Sequence, residues 1–373
     1  MRASLSPGER RSIVKAGLSI QEMAREILRQ SKAKQDYAVN TANMHMETSG
    51  SAPVLRLLGD DGVDRVEPLD IQQTAHRQIG AYLGIPQKYY EKMLTENTGL
   101  LVDNVNSWLS RSTETRLIRT MDGRARAFLS DRYRRIDNLD IANITLPVIE
   151  EMPDAYYESC QLTEDYLYIK VVNPRLTAEV RPGDIVQAGV VISNSETGLG
   201  AVNIQPLVYR LVCSNGMVVN EAKMRRTHIG RANTADENFF LYSQETLAAD
   251  DKAFVLKIRD TVRAAVDEAR FAQVLGKMRE STQMHLNTAD LPGVVKLASS
   301  SFGITEAESS GVLQRLIEDA DYTVYGLANA VTRHSQDVES YDRATQLESI
   351  GYSVMTMNPE IFRRINQVSS MAA

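Results

Sequence analysis

"VVISNSETGLGAVNIQPLVYRLVCSNGMVV", residues 190–219, decides how the middle of this 373-residue chain is read. Apolar and β-branched residues fill its two ends, and Asn194, Ser195, Glu196, Cys213, Ser214 and Asn215 stand between them. Catalytic groups, a phosphate loop and the turns of buried hairpins all use such residues. "GDIVQAGVVISN", which runs into the stretch, alternates as a strand with Ala188, Val190 and Ile192 on one face. "SETGLG" is a turn in which Gly198 and Gly200 supply positive φ. "LVYRLVCS" is the next strand, with Leu207, Tyr209, Leu211 and Cys213 on one side and Pro206 marking a bulge or an edge at its start. Asn215-Gly216 then reads as a two-residue hairpin turn and "MVV" as the returning strand.

The catalytic alternative is weaker. A Cys213 nucleophile needs a base, and the nearest histidine in sequence is His228, beyond the hairpin. A cysteine on an apolar strand is inert far more often than reactive. "GLG" lacks the following helix that a phosphate cradle requires. Asn194, Ser195 and Glu196 are expected to bond their own backbone and fix the loop. The residues Asn194, Ser195, Glu196, Gly198, Cys213, Asn215 and Gly216 are therefore read as a structural motif.

Outward from this block, strand patterns run from Glu114 to about Arg231, broken by one helix near 138–151, and are expected to form one β-rich unit. On the N-terminal side, Ile20, Met23, Ala24, Ile27 and Leu28 predict a helix over 19–35. "NMHMETSGSAP" reads as a loop and "VLRLLG" as a strand. Asp70 reads as the N-cap of a helix closed by Gly84. Two helices follow, "IPQKYYEKML" and "LLVDNVNSWL", the second expected to bury Leu101, Val105 and Trp108. Past the strands, Phe254, Ile258, Val262, Ala265 and Ala269 stripe one long helix reaching Met278, and further helices cover 291–300, 305–318, 321–335 and 339–350. The fold class is α+β: a mostly antiparallel β core with flanking N-terminal and C-terminal helical parts. The corresponding divisions are a helical, variable segment 1–52, an α+β core 53–235 with a basic hairpin, and a helical region 236–373.

No run of about 18 apolar residues occurs, so no membrane span is expected. The start "MRASLSPGERRSIVKAGL" lacks the apolar core of a secretory signal. Two cysteines are too few for a disulfide framework, and the five histidines show no metal-ligand spacing. A cytoplasmic protein with no metal and no cofactor is the expectation.

Charge is distributed unevenly. Residues 111–135 hold eight arginines against Glu114, Asp122 and Asp131, a local +5 in a chain of net charge −6. Asp122-Gly123 is a two-residue hairpin turn, which sets Met121 opposite Arg124, Arg119 opposite Arg126 and Leu117 opposite Phe128. Ile118, Thr120, Ala125, Ala127 and Leu129 then face the core, and Arg119, Arg124 and Arg126 converge on the outward face beside Phe128. Arg116 precedes them, and Arg132, Tyr133, Arg134 and Arg135 lead into a helix capped by Asp137 or Asn138. A second cluster holds Lys223, Arg225, Arg226, His228 and Arg231. Arginines beside an aromatic ring on a sheet suit single-stranded nucleic acid, where cations track the backbone and rings stack on bases. The competing reading is that these arginines pair with acidic residues of a covering helix, such as "TADE" or "QETLAADD".

"SDRYRRIDN", the 190–219 stretch, "YGLANAVTRHSQ" and "RATQLESIG" resemble a phage- and plasmid-borne family, the phage/plasmid-like proteins catalogued as domain of unknown function 932. The helix "TAHRQIGAYLGIPQKYYEKM" is similar to its N-terminal part, so the resemblance covers most of residues 70–355. It implies kinship and a mobile-element origin, and it brings no activity with it. The leading expectation is a nucleic-acid-binding protein of phage or plasmid DNA metabolism, of the single-strand annealing or recombination type, acting as a homo-oligomer with single-stranded nucleic acid as its partner. The alternatives are a protein-interaction factor of a mobile element, directed at restriction or host takeover, and an enzyme using Glu196, Cys213 or His228.

Overall fold

The computed structural model describes residues 17–133, 135–200, 202–220 and 244–367. Its first helix begins where Ser19 and Glu22 satisfy each other's backbone amides in a capping box. Helix α1 (Ile20–Ala33) buries Met23 and Ile27 and ends at Lys34, where the chain becomes strand β1 (Lys34–Asn40). Strands β2 (Met44–Ser49), β3 (Ala52–Leu57), β4 (Leu69–Ile71), β5 (Thr115–Met121) and β6 (Arg124–Ser130) join β1 in a six-stranded sheet of order β1-β5-β6-β4-β3-β2. All pairs are antiparallel except β4 with β6.

The outermost strands β1 and β2 are separated in sequence only by the turn Thr41–Asn43, so the sheet must curl to bring its edges together. Helices α2 (Gln73–Tyr82), α3 (Gln87–Glu96) and α4 (Thr98–Leu109) fill the concave side. There Ile79, Tyr90, Met93, Leu101, Val105 and Leu109 pack on Val39, Met46, Leu55, Ile118, Ala125 and Phe128. From α4, the Asn106 side-chain amide donates to the Met46 carbonyl and accepts from the Met46 N–H, both at 2.8 Å. That pair occupies the free edge of β2, which would otherwise be open to strand addition.

Helix α5 (Asn138–Glu150) leads to a second sheet, an antiparallel meander of β7 (Tyr156–Leu162), β8 (Leu167–Glu179), β9 (Ile185–Asn194), β10 (Asn203–Arg210) and β11 (Asn215–Val218). One face, with Ile169, Val171, Val190, Ile192 and Ile204, packs on α1, α5 and helix α6 (Gln244–Ala265). The other carries Val172, Val191, Leu207 and Val218. Helices α7 (Glu268–Ser281), α8 (Leu291–Phe302), α9 (Glu306–Asp319), α10 (Val324–His334), α11 (Tyr341–Met355) and α12 (Pro359–Asn366) build a third core that takes in Val186, Val208 and Met217.

The α+β class holds, and several local expectations are corrected. The strands from Glu114 onward do not form one sheet, because α5 carries the chain from the first sheet to the second. "NMHMETSGSAP" is not a loop: Met44 and Met46 are buried beside an exposed His45, the period-two signature of a strand. Asp70 lies in β4, and α2 starts at Gln73. The long helix is two, broken where the Asp267 side chain accepts the Arg270 amide and starts α7. Helix α12 was signalled by Asn358 followed by Pro359, a cap and first-turn pair.

Candidate nucleic-acid interface

The hairpin of β5 and β6 turns at Asp122 and Gly123, both with positive φ, as its sequence requires. Met121 pairs with Arg124 and Thr120 with Ala125, and then the register slips. Arg119 stands opposite Ala127, Ile118 opposite Phe128 and Leu117 opposite Leu129. A bulge at Arg126 accounts for the slip, since one extra residue on β6 reverses the facing of everything beyond it. Phe128 therefore points into the first core at 4 % exposure, its ring 5.3 Å from that of Tyr82. Leu117, Ala127 and Leu129 cluster on the opposite face, beneath Tyr133.

The expectation that Arg119, Arg126 and Phe128 face solvent is thus corrected. Arg119 and Arg126 are 4 % and 5 % exposed, covered by the loop that follows β9. Arg119 donates to Asp36 at 3.0 Å, to Asp137 at 2.6 Å and to the Glu196 carbonyl at 3.1 Å. Arg126 pairs with the Glu196 carboxylate at 3.1 Å, and Lys34 pairs with the same carboxylate. The Asn138 amide, first in α5, adds a third donor to Glu196 at 2.7 Å, placing the anion at a helix N-terminus. Burial works to raise the Asp137 carboxyl, but Arg119, with help from Lys34 and Arg135, outweighs it and holds it below the ordinary value. Burial likewise opposes the charge on Arg119, and Asp137 and Asp36 outweigh it, so the guanidinium stays firmly protonated.

The rest of the motif secures the same junction. Asn194 donates to the Ile136 carbonyl and the Asn138 side chain, and the Ser195 hydroxyl accepts the Thr197 and Leu199 amides. Gln78 of α2 donates to the Thr197 carbonyl and accepts the Phe128 amide. Gly198 has φ +82°, and a Cβ there would meet Leu129 at 2.5 Å. The Tyr133 hydroxyl donates to the Ser195 carbonyl at 3.4 Å. Residues 194–198 fasten the second sheet to the first.

The second motif also closes an internal joint, and its turn differs from expectation. Strand β10 ends at Arg210, residues 211–214 form the turn with Ser214 at φ +50°, and Asn215 and Gly216 are already in β11. Leu211 and Val212 are exposed at its tip rather than facing a core. Asn215 donates to Thr332 of α10 at 2.6 Å, and Gln336 donates to the Ser214 carbonyl at 2.7 Å. Gly216 admits the Leu207 side chain. Cys213 is half-buried, takes a 3.3 Å contact from Arg210, and has its thiol pushed up by burial.

What remains at the surface is a rim. Arg124 and Arg132 are exposed and make no ion pair among the described residues. Arg135 is exposed and shares Asp36 with Arg119 at 3.1 Å. Arg116 lies 3.9 Å over the Tyr82 ring and pairs with Glu114. Arg134, Lys223, Arg225, Arg226, His228 and Arg231 lie outside the described residues. The expectation that Trp108 is buried is corrected: it is 47 % exposed with Arg111 over its ring at 5.1 Å, on the flank of the Leu101–Val105–Leu109 stripe. No group of three His, Cys, Asp or Glu among the described residues is placed to hold a metal ion, and no helix there is long and apolar enough to cross a membrane.

The family model described as Domain of unknown function (DUF932) matches residues 127–362, from within β6 to within α12. No curated protein and no solved structure matches the chain. With well over half of its residues matched, the chain belongs to the DUF932 family.

Proposed function

We propose that the chain is a nucleic-acid-binding protein of phage or plasmid DNA metabolism that holds single strands for annealing or recombination. The supporting observation is the rim itself: Arg124, Arg132 and Arg135 are exposed, while Arg119 and Arg126 of the hairpin are locked into buried ion pairs. At about 3.3 Å per strand residue, the strand that runs from Arg124 to Ser130 and leads on to Arg132 is about 20 Å long, the span of a few nucleotides. The buried network beneath fixes the hairpin, so the rim is preorganised. Glu196 is occupied by three donors and the Cys213 thiol is pushed up, which argues against either as a catalytic group. A second reading, a protein-interaction factor, is favoured by the Leu211-Val212 tip, where Val212 is 60 % exposed.

A salt series with single- and double-stranded DNA tests the first reading. Each phosphate contact on a single strand contributes about −0.7 to the slope of log affinity against log salt. Replacing Arg124, Arg132 and Arg135 together by Ala is expected to flatten the slope by about 2 and leave the fold intact. An unchanged slope in the folded triple variant removes this rim as the contact.

A further inference from the structure

Helices α2 and α3 enclose a second feature that the rim does not use. Between them lies a cavity of about 140 Å³, lined by His76, Tyr90, Gln73, Arg77, Gln87 and Glu91 with apolar walls between. His76 is 5 % exposed, and its Nδ1 lies 2.9 Å from the Tyr90 hydroxyl. Its Nε2 has no hydrogen-bond partner among the described residues, yet it is not sealed from solvent, so it opens on the cavity. Gly80 keeps this geometry, because a Cβ there would strike the Tyr90 ring at 2.9 Å.

A ring nitrogen of a largely buried side chain that no protein group bonds, and that opens on a cavity, is available to recognise the edge of a ligand. A cavity of about 150 Å³ accepts a single six-membered aromatic ring. Burial also keeps the imidazole neutral near pH 7, with its pKa pushed down to about 4, so Nε2 is a donor in one tautomer and an acceptor in the other. That suits the in-plane ring nitrogen of cytosine, an acceptor, as well as that of thymine or uracil, a donor. Glutamine amides read base edges, and a carboxylate accepts from the cytosine amino group. Gln73, Gln87 and Glu91 supply both, and Gln87 already donates to Glu91 at 2.8 Å. Arg77, 42 % exposed, stands at the same cavity, donating to Thr74 at 2.9 Å and pairing with Asp165 at 3.6 Å.

We propose that the cavity between α2 and α3 receives one unstacked pyrimidine base of a bound single strand, hydrogen-bonded by His76 and its neighbours. The proposal rests on the nucleic-acid reading and assigns it a base-specific subsite. Helix α2 also carries Gln78, which touches both the hairpin and the 194–198 loop, so subsite and rim belong to one rigid frame.

Binding of the full chain to fluorescent oligocytidylate, oligothymidylate, oligoadenylate and an abasic strand of equal length tests it. Each pyrimidine strand is expected to bind about tenfold more tightly than the abasic one, with oligoadenylate no better than abasic. His76→Ala opens a hole beneath Tyr90 and risks the fold, so the decisive variant is Ala81→Phe. Ala81 is exposed at the cavity wall, and the larger ring plugs the space from outside. Ala81→Phe is expected to abolish the pyrimidine preference and leave the salt slope unchanged. Equal, salt-dependent binding of pyrimidine and abasic strands by the unmodified chain overturns the subsite and leaves the rim standing. Binding of no strand, together with cytidine monophosphate binding that Ala81→Phe removes, overturns the nucleic-acid reading and keeps the site for a free pyrimidine nucleotide. Binding of neither overturns both.

Discussion

Replacing Glu196 by Gln removes one charge from a side chain at 1 % exposure and leaves its size almost unchanged. The carboxylate serves Lys34, Arg126 and the Asn138 amide, whereas a glutamine offers one acceptor oxygen and turns an NH₂ toward a cation. Breaking a buried ion pair costs about 3–5 kcal/mol, because the remaining charge stays buried without its partner. Two cations are stranded here, at 8 % and 6 % side-chain exposure, which pushes toward the upper end. Asp137 lies close enough to Lys34 to feel its charge and takes over part of the pairing. The expected loss is about 4 kcal/mol. With a urea m value of about 3 kcal/mol/M, the unfolding midpoint falls by about 1.3 M, read by circular dichroism at neutral pH. Adding Lys34→Met to Glu196→Gln removes one stranded charge, and the double-mutant cycle should show a coupling above about 1 kcal/mol. An exposed loop carboxylate would change stability by less than about 0.5 kcal/mol. A midpoint shift under about 0.2 M would refute the buried-network account.

The His76 imidazole titrates at about 4 in the folded chain, below the ordinary value of about 6.5. The unfolded chain therefore takes up the proton first, and this contribution is complete above about pH 6.5 and is lost as pH falls toward 4, up to about 3 kcal/mol. His76→Gln is expected to flatten the pH dependence of the urea midpoint across that interval, and a profile parallel to the original speaks against the burial. Gly351→Ala should cost about 1–3 kcal/mol, because a Cβ there runs into the Thr332 methyl where α10 and α11 cross; an unshifted melting curve contradicts that packing. Phe128→Ala should act through the first core, lowering stability by about 3–5 kcal/mol, and a folded, fully stable variant with weakened strand binding would return the ring to the surface.

Periodicity made most elements legible in the sequence. Helix α5, strand β9 and the four helices from α8 to α11 follow their apolar spacing to within a few residues. The division into two sheets did not follow, because a strand's alternation does not name its partner; only the length and position of α5 separate β6 from β7. The hairpin register failed at one residue. No glycine marks the bulge at Arg126, so the two-residue turn was extended in phase along the whole hairpin. Like charges gathered on one hairpin require anions over them, and carboxylates do cover Arg119 and Arg126. Among the described residues these come singly from Asp36, Asp137 and Glu196, in three separate segments, and the acidic "TADE" stretch lies outside the described residues.

Glu196, Asp137 and Asn194 lie within the family-matched residues, while Lys34, Asp36, Arg119 and Arg126 precede them. The Asn194-Ser195-Glu196 motif thus spends its polar atoms on α5, on the hairpin and on the start of β1. Apolar contact alone would tolerate sliding between two sheets, because it is non-directional. A carboxylate with three fixed donors and a glycine pressed on Leu129 does not. The first sheet is therefore part of the same structural unit as the matched region, and the exposed arginines of its hairpin are held in a fixed relation to everything that follows.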